Sequence, residues 1–139
     1  TTYNLGGWRR AEKGLLRYNS TSQRYEYWFS EKPDNQFGLP LSVTALHCAR
    51  DGTLWLGARE GLVRCNPQTR THRIFPGPHD FNQTPISALI EGPEGRLWLA
   101  TEGTGIVQFD PRMGRFVGHL RRVEGEPNSL QFDHVAALY

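Results

Sequence analysis

The stretch Asp51-Gly52-Thr53-Leu54-Trp55-Leu56-Gly57-Ala58-Arg59-Glu60-Gly61-Leu62-Val63-Arg64-Cys65-Asn66-Pro67 decides the fold, because it returns. Glu94-Gly95-Arg96-Leu97-Trp98-Leu99-Ala100-Thr101-Glu102-Gly103-Thr104-Gly105-Ile106-Val107-Gln108-Phe109-Asp110-Pro111 has the same order of turn, Trp strand, Gly turn and apolar strand, with one residue inserted. Trp98 follows Trp55 by 43 residues. A worn third copy has Trp8 and Gly14-Leu15-Leu16-Arg17-Tyr18-Asn19, with Trp8 preceding Trp55 by 47 residues. Self-similarity at this period marks a repeat architecture.

Working outward, residues 43–49, 54–58, 62–65 and 71–75 read as four short strands joined by tight turns, the first of them at Asp51-Gly52, a strong hairpin signal. Residues 86–90, 97–100, 106–109 and 116–120 repeat that plan. With the strands named a to d, residues 3–10, 15–18 and 24–29 supply b, c and d, and residues 135–139 supply a last strand a. The order bcd-abcd-abcd-a amounts to about three blade-equivalents. The fold class is therefore all-β, with four-stranded antiparallel meanders as the blades of a β-propeller. Residues 1–41 form an incomplete blade with its loop, 42–85 and 86–134 form blades, and 135–139 give strand a of the next or closing blade. That last strand has the option of pairing beside the first strand b, so that the two ends share a blade. Propellers usually close with about four to eight blades. The remaining blades are thus expected from a longer chain, the preferred reading, or from further copies in a homo-oligomeric ring.

Composition narrows the function. The 139 residues are 37% hydrophobic and 22% charged, which suits a soluble protein with a real core. The 15 Gly and nine Pro fall between the apolar runs, where turns need them, and they disfavour helix. A net charge of +2, with Arg9-Arg10 and Arg121-Arg122 the only arginine doublets, argues against nucleic acid as a partner. No apolar run approaches the roughly 20 residues of a membrane span, so this segment is not expected to insert into a membrane. No start resembling a signal peptide is present. The chain begins Thr1-Thr2, which reads as a processed product, a trimmed chain or a piece of a longer protein. Cys48 and Cys65 fall on strands next but one to each other, about 9 to 10 Å apart by strand spacing. That exceeds the roughly 7 Å a disulfide spans, so both are expected as free, partly buried thiols.

The units read Val-x-Ala-Leu, then an acidic or Gly turn, then Leu-Trp-Leu-Gly/Ala, Gly-Leu/Ile-Val and Asn/Asp-Pro. This pattern resembles the two-component regulator propeller repeat of the sensor regions of bacterial hybrid histidine kinases and related signalling proteins. The stretches 35–43 and 127–135 resemble the Asn-x-Leu segment that precedes strand a in that family. The first unit departs from the pattern, since Trp8-Arg9-Arg10 has arginines where the others have Leu-Gly or Leu-Ala. The resemblance implies a periplasmic or extracellular ligand-sensing propeller in a signal-transduction protein, with saccharides as ligands in some members. It implies no catalytic residues and no cofactor, and any kinase or cyclase output domain would lie outside this chain.

The residues themselves agree. Trp55 and Trp98 recur mid-strand, which makes them packing between blades before sugar platforms. Gly61 and Gly105 are turn residues first. None of His47, His72, His79, His119 and His134 has a partner at metal-ligand spacing, so no metal site is expected. His47 and Cys48 are strand neighbours pointing to opposite faces and form no nucleophile and base pair. In a four-stranded blade the b–c turns and d–a connections emerge at the same end. A ligand face there would hold Arg10, Arg59, Glu60, His79, Phe81, Asn82, Glu102, Arg121, Arg122 and Phe132, a mixture of aromatic, Asn and charged side chains suited to a small polar or saccharide ligand. Two other readings are a lyase resembling streptogramin-cleaving propellers, which needs an acid/base cluster and a divalent ion, and a scaffold that binds only proteins.

Overall fold

A computed structural model of the chain describes residues 8–11, 14–28, 43–66, 68–69, 71–77, 83–121, 123–128 and 130, with the backbone alone for 8–11, 14–15 and 27–28. Eleven strands form three antiparallel meanders. The first holds β1 (Trp8–Ala11), β2 (Gly14–Asn19) and β3 (Arg24–Trp28) in the order β1-β2-β3. The second holds β4 (Val43–Cys48), β5 (Leu54–Ala58), β6 (Gly61–Asn66) and β7 (Thr71–Phe75). The third holds β8 (Ile86–Glu91), β9 (Leu97–Thr101), β10 (Ile106–Asp110) and β11 (Arg115–Leu120). Each strand pairs only with its sequence neighbours, as in propeller blades. The last expected strand, 135–139, lies outside the described residues.

The period of two along a strand sorts side chains between the faces of the second sheet. Leu54, Leu56, Ala58, Val63 and Cys65 form one cluster with Val43. The residues between them, Trp55 and Leu62, point the other way and join Ala45 and Phe75 against Ile86, Leu89, Leu97, Leu99, Val107 and Phe109 of the third sheet. This second cluster is the seam between two blades, and Trp55, 3% exposed, sits in its middle. Its ring lies edge-on to Phe109 at 5.5 Å, and Phe75 stands 4.8 Å from Phe109. The arginine across from Trp55 on β6, Arg64, places its guanidinium 5.9 Å from the indole centroid. Trp55 is therefore packing between blades, as the sequence implied, while Trp98 at the same place in the third sheet is half-buried. Cys48 and Cys65 are free thiols, and burial pushes the Cys65 thiol up to about 12.

Three local devices recur from sheet to sheet. At the c–d turns Asn19, Asn66 and Asp110 each accept, through Oδ1, the N–H groups two and three residues on, at 2.9 to 3.3 Å. Such Asx turns replace ladder bonds lost where the chain reverses. On the inner strands a bulge displaces Thr44 and Ser87, whose hydroxyls donate to Gly57 O and Ala100 O at 3.2 Å. The a–b turns close from Ala49 to Thr53 and from Gly92 to Arg96. Here the structure corrects the tight Asp51-Gly52 reading. The loop has three residues, Arg50 to Gly52, and Gly52 at φ 87° takes the left-handed position that follows the turn. Asp51 Oδ1 accepts the Thr53 N–H at 2.9 Å, which holds its carboxyl below the usual range.

Gly57 sets how closely the blades approach. A Cβ there would stand 2.9 Å from Ile86 Cβ and 3.2 Å from Ala45 Cβ, closer than carbon atoms pack. Gly57→Val should therefore overpack the seam and cost about 1–3 kcal/mol in urea unfolding, with Trp55 fluorescence shifted to the red. A substitution at Gly52, where a Cβ meets nothing, should leave the Trp55 signal in place.

Candidate functional site

The b–c turns and the outer ends of strands d are built as one unit. Gly61 has φ 140°, and a Cβ on it would lie 2.5 Å from the Phe75 carbonyl oxygen at the end of β7. Gly105, with φ 82°, occupies the same place in the third sheet, where a Cβ would strike the Leu120 carbonyl. Two separate demands thus select glycine, the positive φ and the close backbone approach. The consequence is a fixed distance between each b–c turn and the start of the following d–a connection.

In the third sheet the inserted residue makes this end more elaborate. Thr101 is fully buried, and its hydroxyl donates to Gly105 O at 2.7 Å while accepting the Thr104 N–H at 3.0 Å. Thr104 Oγ1 lies 2.8 Å from the same hydroxyl, and the Thr104 carbonyl accepts from His119 Nε2 on β11, which sets the proton on that nitrogen. The Glu102 N–H donates to Pro85 O at 3.0 Å, tying the turn to the connection that enters β8. A loop with no regular ladder is thereby held from three sides.

This rigid end carries several of the residues expected from the sequence. Arg59 and Glu60 occupy the b–c turn of the second sheet, Glu102 that of the third, and Arg121 follows β11; all four are exposed. Among the described residues their side chains have no hydrogen-bonding or ionic partner, so their polar atoms are available. Arg10 lies on β1, next to the first b–c turn, and is described by its backbone. His79, Phe81, Asn82, Arg122 and Phe132 lie outside the described residues.

Two features went unread in the sequence. One is the Thr101 network, whose only signal was the extra residue in the Glu102-Gly103-Thr104 turn. The other lies at the opposite end, where inner strands β4 and β8 meet. There His47 Nε2 stands 3.7 Å from Glu91 Oε2, and the same oxygen accepts the Arg50 N–H at 3.2 Å. The contact joins two blades, and nothing in sequence spacing pairs residues 44 apart. Among the described residues no three His, Cys, Asp or Glu side chains converge as a metal site would require.

Residues 80–103, from the d–a connection through β8 and β9 to the b–c turn, match the family model described as the two component regulator propeller. Within those residues the chain is similar to that repeat. Solved structures share its fold. The extracellular domain of a hybrid two-component system of B. thetaiotaomicron aligns with a TM-score of 0.72 and 18% identity over 93% of this chain. A second such domain from that organism gives 0.68 and 22% over 100%. PorZ, a bacterial surface component of the type-IX secretion system of Porphyromonas gingivalis, gives 0.66 and 16% over 99%. The chain spans 17%, 17% and 22% of those three structures. No curated protein matches the sequence.

The Thr101 hydroxyl is open to direct test. Thr101→Val keeps the shape and leaves the half-buried Thr104 N–H without its acceptor, so it should cost about 1–3 kcal/mol and speed amide exchange at Thr104 and Gly105. Thr101→Ser should restore most of the loss.

Proposed function

We propose that this chain is part of a sensing propeller in a bacterial two-component signalling protein. It would lie on the periplasmic or extracellular side, with a small polar or saccharide ligand held at the end where b–c turns meet d–a connections. The observation that carries the reading is the joining of two properties at that end. Backbone there is locked by Gly61, Gly105 and the Thr101 network, while the exposed Arg59, Glu60, Glu102 and Arg121 project from it with no side-chain partner among the described residues. A rigid frame with free polar groups lowers the ordering cost of binding, because the receptor side is already set. Arginine forks and carboxylates together suit a ligand rich in hydroxyl groups, since they supply both donors and acceptors.

The repeat match and the extracellular two-component domains among the fold neighbours support the sensing role and the location. In this reading the segment itself performs no chemistry. Binding biases how the blades sit, and an output domain elsewhere in the protein reads that bias. The other blades of the ring come from a longer chain.

Isothermal titration of the protein against a saccharide panel checks the proposal. A binding sugar should lose at least tenfold in affinity, about 1.4 kcal/mol, in the Arg59→Ala, Glu60→Ala double variant at unchanged melting temperature. Absence of binding across a broad panel, or equal affinity in the variant, would overturn it.

A further inference from the structure

The strand registers place one cross-strand row side by side in all three sheets. On strand c the residue opposite the repeated Trp is Arg17 in the first sheet, Arg64 in the second and Gln108 in the third. On strand d the next residue of the row is Glu26, Arg73 and Gly118 in turn. The first sheet therefore sets an arginine against a carboxylate, and Glu26 Oε1 also accepts from the Asn19 side-chain amide at 2.7 Å. The third sets a neutral amide against glycine, with Gln108 Oε1 lying 2.5 Å from where a Gly118 Cβ would stand. The second sheet alone places two positive charges directly opposite each other, an arrangement that costs stability in a sheet.

Arg64 and Arg73 are both exposed, and neither has a hydrogen bond or an ion pair among the described residues. Asp51 is the acid that feels Arg64, but its carboxyl is held low first by the Thr53 bonds and only in lesser part by the arginine's charge. Both guanidiniums are nevertheless seated on aromatic rings. Arg64 lies over Trp55 at 5.9 Å and Arg73 over Phe75 at 4.7 Å, and the two ring centroids are 6.3 Å apart. Stacking uses the flat face of a guanidinium and leaves its N–H edge open. Two such edges on neighbouring strands, with Cβ atoms about 5 Å apart, match the oxygens of one carboxylate or phosphate.

We propose that Arg64 and Arg73 form an oxyanion-binding site, in which a carboxylate or phosphate from outside the chain takes the place that Glu26 fills beside Arg17 in the first sheet. The first sheet shows that this row accepts a negative charge next to the arginine of strand c. In the second sheet the chain withholds that charge and supplies a second cationic donor, so the row is neutralised only when an anion enters. Each guanidinium then donates to an anion oxygen through charge-assisted bonds, which are stronger than neutral ones, and the like-charge cost is relieved. Arg64 lies three positions beyond Gly61, about 10 Å along β6, which puts the site on the sheet face and apart from the Arg59-Glu60 turn. Failure of saccharide binding at that turn leaves it standing.

Titration with inorganic phosphate, sodium glucuronate and neutral glucose at constant ionic strength, followed through the arginine Nε–H signals by NMR, tests the site. The Arg64 and Arg73 signals should move together along one saturating curve with phosphate or glucuronate and stay still with glucose. Saturation by either anion supports the site, phosphate naming a free oxyanion and glucuronate a carboxylate borne by a sugar. Arg73→Gln should weaken binding about tenfold. Arg73→Glu rebuilds the Arg17–Glu26 arrangement, so it should abolish binding and raise the melting temperature in phosphate-free buffer. Shifts that grow without saturation for both anions, or that chloride reproduces, would overturn the proposal by reducing it to charge screening. Unchanged affinity in Arg73→Glu would overturn it as well.

Discussion

A four-stranded sheet of strands five or six residues long has two faces and cannot bury either one by itself. The seam in which Trp55 packs against Phe75 and Phe109 answers that constraint. Once the sheets stack face to face, Leu62, Leu97, Leu99 and Val107 become fully enclosed, and Gly57 brings the second sheet close enough to touch Ile86. At the sheet ends the turns must then satisfy their own backbone. This is why the Asx turns at Asn19, Asn66 and Asp110 recur with the same bonds although the residues around them differ.

The division of labour follows from that arrangement. Repetition preserves whatever the seam requires, so Trp, Gly and Leu reappear every 40-odd residues. Variation collects where the seam makes no demand, in the Arg59-Glu60 turn and its counterpart at Glu102 to Thr104. The two ends of the sheets are not equivalent. One is braced by close glycine approaches and the Thr101 hydroxyl and exposes charged side chains. The other ties β4 to β8 through Glu91, His47 and Arg50. A blade assembly built this way holds exposed charged groups steady at one end while a polar contact between blades sits at the other.

Much of the fold was legible because packing in a repeat is periodic. Trp55 and Gly61 could be recognised as scaffold by comparing copies. The open cysteine pair also followed from strand order alone. Contacts between blades left no such trace. The Gly57 approach to Ile86 and the His47–Glu91 pair join residues 29 and 44 positions apart, with no spacing rule to link them. The Asp51-Gly52 dipeptide pointed to the right turn with the wrong length, since a glycine following a type I turn and one inside a two-residue hairpin share the same neighbours. At the candidate site the b–c turns were placed by topology, whereas the buried role of Thr101 depended on one inserted residue whose effect only three-dimensional packing reveals.

The claim that the repeated Trp is an inter-blade anchor is tested most directly by a double-mutant cycle in urea unfolding, with Trp55→Leu, Phe109→Leu and the pair. Seam packing predicts a coupling of about 0.5–1.5 kcal/mol between residues 54 positions apart in sequence. Additive losses, within about 0.3 kcal/mol, would show that the two rings contribute independently and would contradict the seam.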